Sequence, residues 1–425
     1  MRNPRPILRA WQAWRASVAL MVVCVGSTGC VGPEAVRATR LRYNEAIRST
    51  NDEQLLINLV RLRYADSPVF IDLPSITSQF ELAVGGSDPG AAGSQTNFGI
   101  VGLTGRDSPT LSYHPRQGRE ISKALLNPLS AEIYSVVTAG ARIDQLLWLT
   151  LNDINDVQNA VRGTLLVPMV ADDNSKFLRG VKLLAEIDDQ GGAELGFSTI
   201  EETSDSSDPI DKIQIEGKDL LAAAKDGYVY RDKGQGQMTL NKRQRGLSLK
   251  IRSPFNRSPE MEEMASIFNL APHRTHYKVE SELEPDDEPN PGLAREGLSP
   301  LPKALADRDT IYLNLRSMLQ VMTFMSKGVC VPEEHIRNHN VPVTIGPDGR
   351  PFDWTSVTRG YFRIASQKQK PRDAEVAVKY RGYWFWIPKD DVDSRAILAI
   401  LEILFSLQDA DDTNASPVLT LPAGR

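Results

Sequence analysis

Apolar positions in the chain follow two periods, one helical and one alternating, and these divide it into elements. Between residues 44 and 65, Leu55, Leu56, Leu59, Val60 and Leu62 recur at helical spacing and predict the strongest helix. Thr50 and Glu53 stand at capping-box spacing, which predicts a restart of that helix, and Pro68 ends it. Residues 69–84 alternate apolar and polar positions and predict a strand that Pro74 breaks. The Gly-, Ser- and Thr-rich stretch 85–110 predicts a mobile loop followed by a strand. Thr110 to Tyr113 reads as strand, Gln117 to Leu126 as helix, and further helices are expected near 129–138, 142–162 and 176–188. Gly191-Gly192 closes the last of these. A strand over 194–201, a short helix from Lys218 to Lys225 and a hairpin within 237–252 follow. Ser258-Pro259 has the form of an N-cap and first helical residue for a helix to Phe268, with a strand over 275–282 after it.

The pattern then breaks. Residues 283–303, with Glu-Pro-Asp-Asp-Glu-Pro-Asn-Pro, are acidic and proline-rich, and read as a linker between two halves or a long surface loop. Beyond it, a helix is expected from Thr310 to about Lys327 and a short one from Pro332 through His335. A tight turn is expected at 346–349, and strands at Gly360 to Ala365 and Pro417 to Leu421. Ala374 to Tyr380 and Tyr383 to Ile387 form a hairpin around Arg381-Gly382, and residues 393–408 a helix. Helices and antiparallel strands interleave without a βαβ repeat, so the expected class is α+β in two lobes. The domain reading is a leader at 1–29, a tether at 30–42, an N-terminal domain at 43–282, the linker or loop at 283–303 and a C-terminal domain at 304–425.

The leader gives the protein an address. Arg2, Arg5, Arg9 and Arg15 charge it, no acid is present, and an apolar run from Ala16 to Val25 precedes Gly26-Ser27-Thr28-Gly29-Cys30. These are the three parts of a secretory signal peptide, and the apolar run is too short for a transmembrane span. The cleavage site resembles the lipobox of bacterial lipoproteins, with Ser27 where Leu is usual. That resemblance implies cleavage between Gly29 and Cys30, a diacylglycerol thioether on Cys30 and acylation of its new amino group. Several acyl chains make sense physically, because one alone binds a bilayer only marginally. Val31, which is not Asp, favours the outer membrane under the usual enterobacterial sorting rule. A plain secreted protein and an uncleaved inner-membrane anchor are the alternatives.

The chain has 425 residues, 49 Lys+Arg and 54 Asp+Glu, for a net charge of -5, and loss of the leader removes four Arg and no acid. The mature chain is therefore more acidic still and lacks the basic footprint of a nucleic-acid binder. With Cys30 acylated, Cys330 has no partner in the chain and, in an apolar stretch, reads as a buried inert thiol.

Two stretches form a further recognisable pattern. The first is Ala46-Ile47-Arg48 through Gln54-Leu55-Leu56 and Leu62-Arg63-Tyr64, ending at Phe70-Ile71 and Ser78-Gln79-Phe80. The second is Arg350-Pro351-Phe352-Asp353-Trp354 through Gly360-Tyr361-Phe362, then Tyr380-Arg381-Gly382-Tyr383-Trp384-Phe385-Trp386. Together they resemble a family of uncharacterised bacterial lipoproteins, a resemblance that agrees with the lipobox and implies no reaction.

Catalytic signatures of the common serine hydrolases, zincins and nucleotide-binding loops do not occur in the mature chain. His335 and His339 are four apart, a spacing that puts two imidazoles on one helix face and suits zinc, with Glu333 and Glu334 beside them; surface histidines are the plainer reading. His273 and His276 are a weaker pair. Trp384 and Trp386 could form a sugar-stacking platform, but Tyr383 and Phe385 alternate with them, so a core strand buried on both faces is favoured. Asp353 could act as a general acid, although glycosidases use two carboxylates, and a cap or turn suits it better. Arg48, Arg61 and Arg63 with Asp66 and Asp72 could bind an acidic ligand, with an ion-pair network along the helix as the simpler role. No resident cofactor or metal is expected. The expected function is that of a lipid-anchored, periplasm-facing outer-membrane protein with a non-catalytic structural or interaction role. Its expected partners are the membrane and other envelope proteins, not nucleic acid. An envelope hydrolase, or a lipoprotein binding a glycan or small ligand, is the alternative.

Overall fold

The computed structural model describes residues 31–84, 96–100, 103–115, 119–160, 173–203, 210–211, 215, 217–234, 237–281, 308–346 and 348–410. It is α+β and falls into two compact units, one of Met1–Gln54 with Val69–Arg116 and one of Leu55–Pro68 with Gln117–Arg425. Helix α1 (Val31–Arg63) begins in the first and ends in the second. Its 33 residues take in most of the stretch read as a tether, about 50 Å of helix at 1.5 Å per residue. Gly32 and Pro33 fall in its first turn, where a missing N–H costs nothing. The expected restart at Thr50 does not occur. The Thr50 hydroxyl donates to the carbonyls of Ala46 and Ile47, both at 2.9 Å, and so is satisfied inside a continuous helix.

The first unit also holds an antiparallel sheet of β1 (Ile71–Val84), β2 (Thr96–Ile100) and β3 (Leu103–Pro115), in the order β1-β3-β2. The β1–β3 register slips between Asp72 and Ser75, at the expected proline break.

The second unit continues with α2 (Arg119–Leu126), a 3-10 turn at Ala131–Tyr134, a helical turn at Ser135–Thr138 and α3 (Ile143–Thr150). α3 is shorter than the apolar pattern suggested. After Thr150 the chain becomes β4 (Leu151–Ile154), then turns through Asn155 and Asp156, both at positive φ, into β5 (Val157–Gln158). Asparagine and aspartate tolerate the left-handed region, so Asn-Asp ends the run where helical periodicity alone would continue it. There follow α4 (Ser175–Asp189), β6 (Ala193–Thr203), β7 (Ile210–Asp211), α5 (Gly217–Lys225), β8 (Tyr228–Gly234) and β9 (Gln237–Ile251). The hairpin expected within 237–252 is instead one long strand, β9, paired with β8. After β9 come α6 (Pro259–Ile267), β10 (His276–Ser281), β11 (Thr310–Leu315), α7 (Met318–Ser326) and α8 (Glu333–Arg337). The single helix expected over 310–327 is thus a strand and a helix. Thr310 to Leu315 alternates in burial, and a Ser317–Gln320 capping box starts α7, with Ser317 N donating to Gln320 Oε1 at 2.8 Å. β12 (Ala365–Gln367), β13 (Ala374–Tyr380), β14 (Tyr383–Pro388) and α9 (Val392–Ala410) complete the unit. The expected strand at Gly360 to Ala365 is mostly a turn, with Tyr361 and Phe362 N–H groups bonded to the Thr358 carbonyl. The expected strand at 417–421 lies outside the described residues.

β4 to β11 form one mixed sheet in the order β5-β4-β11-β10-β9-β6, with β7 and β8 added along β9. β10 and β11 are parallel neighbours in it. The acidic proline-rich stretch, itself outside the described residues, therefore connects two strands of one sheet, a parallel connection that needs a dozen residues or more. α3, α4 and α6 supply the apolar cover, with Leu147, Phe177, Leu184, Met264 and Phe268 buried. α4 approaches so closely that a Cβ on Gly180 would lie 2.4 Å from the Phe268 ring.

Arg316, fully buried between β11 and α7, ties these layers together. Its guanidinium donates to the carbonyls of Trp148 (3.1 Å), Leu149 (2.9 Å) and Asn159 (3.0 Å) and to Asn152 Oδ1 (3.3 Å), and lies 3.7 Å from the centre of the Phe324 ring.

Candidate functional site

The chemistry-bearing residues gather around the smaller sheet, β12-β14-β13. β13 and β14 are joined by the expected Arg381-Gly382 turn, both residues at positive φ, as a two-residue hairpin requires. β14 is central, and its faces differ. Phe385 and Ile387 are fully buried, whereas Trp384 and Trp386 on the other face are half-exposed, so the strand is not buried on both sides as expected. Ala365 and Ala377 flank Trp386, while Gln367 and Lys379 flank Trp384. The alanines beside Trp386 leave part of its ring open, whereas longer polar side chains border Trp384. Lys370 lies 5.3 Å from the Trp384 ring, and Trp386 Nε1 is a buried donor with no acceptor.

The inner face of this hairpin meets the C-terminal end of α1, so the two family-like segments, some 300 residues apart, touch. The Tyr64 ring packs edge-on against Tyr380 (5.3 Å) and Phe385 (6.0 Å), with the Arg381 guanidinium 5.2 Å from it. Arg381 pairs with Asp66 at 2.9 Å, and the Tyr380 hydroxyl also donates to Asp66. The Tyr64 hydroxyl lies 2.6 Å from Nδ1 of His335, which is buried on α8 between Tyr64 and Tyr383. Burial pushes the Tyr64 phenol well above its usual range, so it stays neutral at physiological pH. Tyr383 donates to Glu334 (2.7 Å), which also pairs with Lys368 (3.1 Å) and is held below the usual carboxylate range by these bonds.

The proposed His335–His339 pair therefore does not form. α8 ends at Arg337, and His339 is exposed at positive φ beyond it, so four-residue spacing no longer means one helix face. No cluster of three metal-ligating side chains occurs among the described residues. His273 is exposed at positive φ, and His276 is exposed at the start of β10.

Asp353 lines a polar cleft of about 440 Å³ with Arg359, Tyr361, Arg363, Asp391 and Asp393. Its Oδ1 accepts from Thr355 N (3.0 Å) and Oγ1 (2.6 Å), a turn that leads into the helical turn Thr355–Thr358. Asp391 accepts from Ser394 N and Oγ at the start of α9, and Asp393 from Gln145 Nε2. Cys330 departs from the expected buried thiol. It is partly exposed, and Arg363 Nε lies 3.2 Å from its Sγ.

The basic residues of α1 also have different roles. Arg48 forms a loose pair with Asp52 (3.9 Å), and Arg61 donates to Asn58. Arg63 joins no acid among the described residues. Its Nη1 donates to the Pro342 carbonyl at 3.1 Å, and its Nε is buried with no acceptor. Lys327, at the C-cap of α7, is 8% exposed, and its Nζ lies 5.1 Å from the centre of the Trp354 ring. Burial, reinforced by the Arg63 charge, pulls the Lys327 pKa down to about 8. Sequence reading placed Arg63 in an ion-pair network and did not single out Lys327, which is remote in the chain and lies in no motif. No protein-family model matches the chain, and no curated protein or solved structure is significantly similar to it.

Proposed function

We propose that the protein is a lipid-anchored component of the cell envelope, held on the periplasmic side of the outer membrane through acylated Cys30. In this reading it belongs with the lipoproteins that its two segments resemble, and it acts by interaction, not by catalysis. The observation that carries the reading is the acid-free, arginine-charged leader running through a short apolar stretch into Ser27-Thr28-Gly29-Cys30. Helix α1 starting at Val31 supports it, because an anchor at Cys30 would then pass directly into a stiff arm. Further support comes from the candidate catalytic groups, which are engaged locally: Asp353 in the turn with Thr355 and His335 with Tyr64. Intact mass and membrane fractionation of wild type beside Cys30→Ala test the reading. Cleavage before Cys30 with added acyl mass, and release or non-processing of the variant, is the expected result. An unacylated, soluble wild type would remove the anchor.

The half-exposed Trp384 and Trp386 favour a second reading, a glycan-binding lipoprotein. Indole faces stack on pyranose rings, and this pair stands on a rigid strand with alanine beside Trp386. Tryptophan fluorescence titrated with soluble glycan fragments should change in wild type and not in Trp384→Ala. The hydrolytic version has less support, because the aromatic lining of the carboxylate cleft is Tyr361 and Phe362.

A further inference from the structure

Charged side chains are seldom buried without a partner, because desolvation costs several kcal/mol per ion and only close counter-charges and hydrogen bonds offset it. Lys327, buried as a residue, and Arg63, half-buried with a fully buried Nε, both depart from that rule in part. Lys327 is 8% exposed and has no hydrogen-bond acceptor or carboxylate partner among the described residues; its one specific contact is the Trp354 ring. Arg63 uses one N–H on the Pro342 carbonyl and leaves its buried Nε without an acceptor.

The two side chains are linked to one short segment, Arg63 directly and Lys327 through Trp354. Arg63 bonds Pro342 directly, and Lys327 faces Trp354, whose Nε1 donates to Thr344 Oγ1 at 3.2 Å. Both cations sit at helix C-termini, Arg63 in the last turn of α1 and Lys327 at the cap of α7. Each helix end supplies only about half a negative charge, so the pair retains a net positive charge and unfilled donors.

We propose that Arg63 and Lys327 form a binding site for a small oxyanion of the phosphate class. A guanidinium offers a planar fork and an ammonium a point charge, a combination suited to phosphoryl oxygens. The oxyanion would accept from Arg63 Nε and from Lys327 Nζ, which no group of this chain does among the described residues. Trp354 would close the apolar side of the site. The inference does not depend on the lipid anchor.

Thermal melts of the purified full chain test it, at constant ionic strength, with inorganic phosphate replacing chloride. Wild type, Lys327→Met, Arg63→Gln and the exposed control Arg372→Gln are compared. The expected result is a saturable rise in Tm with phosphate for wild type and control, and a loss of at least tenfold in apparent affinity in both site variants. Lys327→Met should melt no lower than wild type in chloride, which shows that the variant is folded. A parallel arm with short-chain phosphatidic acid distinguishes the sources. A response to it alone, lost in the site variants, assigns the site to a lipid headgroup, and a response to inorganic phosphate assigns it to a free ion. Melts that are the same in phosphate and chloride, with no response to the lipid, overturn the proposal. So does a response that persists in both site variants.

Discussion

Arg316 and Lys327 stand at the two ends of helix α7, both buried, and differ in what surrounds their charge. Arg316 reaches three carbonyls and an asparagine oxygen; burial still pulls its pKa down, to about 9, and the nearby carboxylate of Asp153 offsets only part of that effect. Lys327 reaches one indole ring, and the charge acting on it most strongly is another cation, Arg63. The first region is a closed joint: two carbonyls of α3, the Asn159 carbonyl just past β5 and the Asn152 side chain on β4 all accept from one guanidinium. The second is open, since its donors outnumber their acceptors. Arg316 is completely buried, and Lys327 keeps 8% exposure. What separates a structural cation from a candidate site is whether its hydrogen-bonding capacity is already filled.

Breaking the closed joint should have the largest effect. Arg316→Met keeps bulk and apolar stem but takes a donor from three carbonyls and Asn152 Oδ1 and removes the positive charge near Asp153. We expect a loss of about 3–5 kcal/mol, read as a lower urea midpoint with unchanged slope. A loss below about 1 kcal/mol would mean that these carbonyls find other donors and that the joint is not closed.

The open site should respond in the opposite direction. The folded-state Lys327 pKa lies below the ordinary 10.5, at about 8, so between these values the folded chain binds fewer protons than the unfolded one. Stability contributed by this residue is therefore full above pH 10.5 and lost as pH falls toward 8. Lys327→Met should be more stable than wild type at pH 7 by about 1–3 kcal/mol, and that advantage should shrink between pH 8 and 10.5. Denaturation at several pH values, in chloride without phosphate, checks both parts. A variant less stable than wild type at pH 7 would show the lysine to be compensated by its surroundings.

Tyr64→Phe probes an intermediate case, a neutral buried hydroxyl with one hydrogen-bond partner. It removes the hydroxyl beside His335 Nδ1 while the ring contacts to Tyr380 and Phe385 remain. The expected cost is about 1–2 kcal/mol, from one hydrogen bond lost and one buried nitrogen left unpaired. Urea denaturation of this variant with His335→Gln and the double mutant would give the coupling energy, and additive losses would show that the pair does not act as a unit.

These contrasts explain how much could be read from the chain. Elements defined by local signals were legible: the Ser258-Pro259 start of α6, the Arg381-Gly382 hairpin and the apolar face of α9. Junctions were not, where one apolar run serves two elements. Leu151 and Ile154 continue the period of α3 but belong to β4, and Thr310 to Leu315 resembles a helix until the Ser317 capping box is recognised. The candidate sites were legible as residue types and not as environments. The partial exposure of Trp386 depends on Ala365 and Ala377 across the sheet, and the setting of Lys327 depends on which of the described groups do not approach it. Neither is a local property of sequence.

The smallest effect sharpens the same comparison from the exposed side. The Thr50 hydroxyl has two acceptors, the carbonyls of Ala46 and Ile47, yet Thr50 is exposed in mid-helix. A filled donor that water could serve equally well contributes little, and threonine has lower helix propensity than alanine. Thr50→Ala should therefore raise stability by a few tenths of a kcal/mol. If α1 restarted at this residue, the same substitution would remove an N-cap and cost about 1 kcal/mol. The sign of the change, measured by helical circular dichroism during thermal unfolding, decides between one helix and two. A negative sign would also break the inference that a filled donor matters only where water is absent.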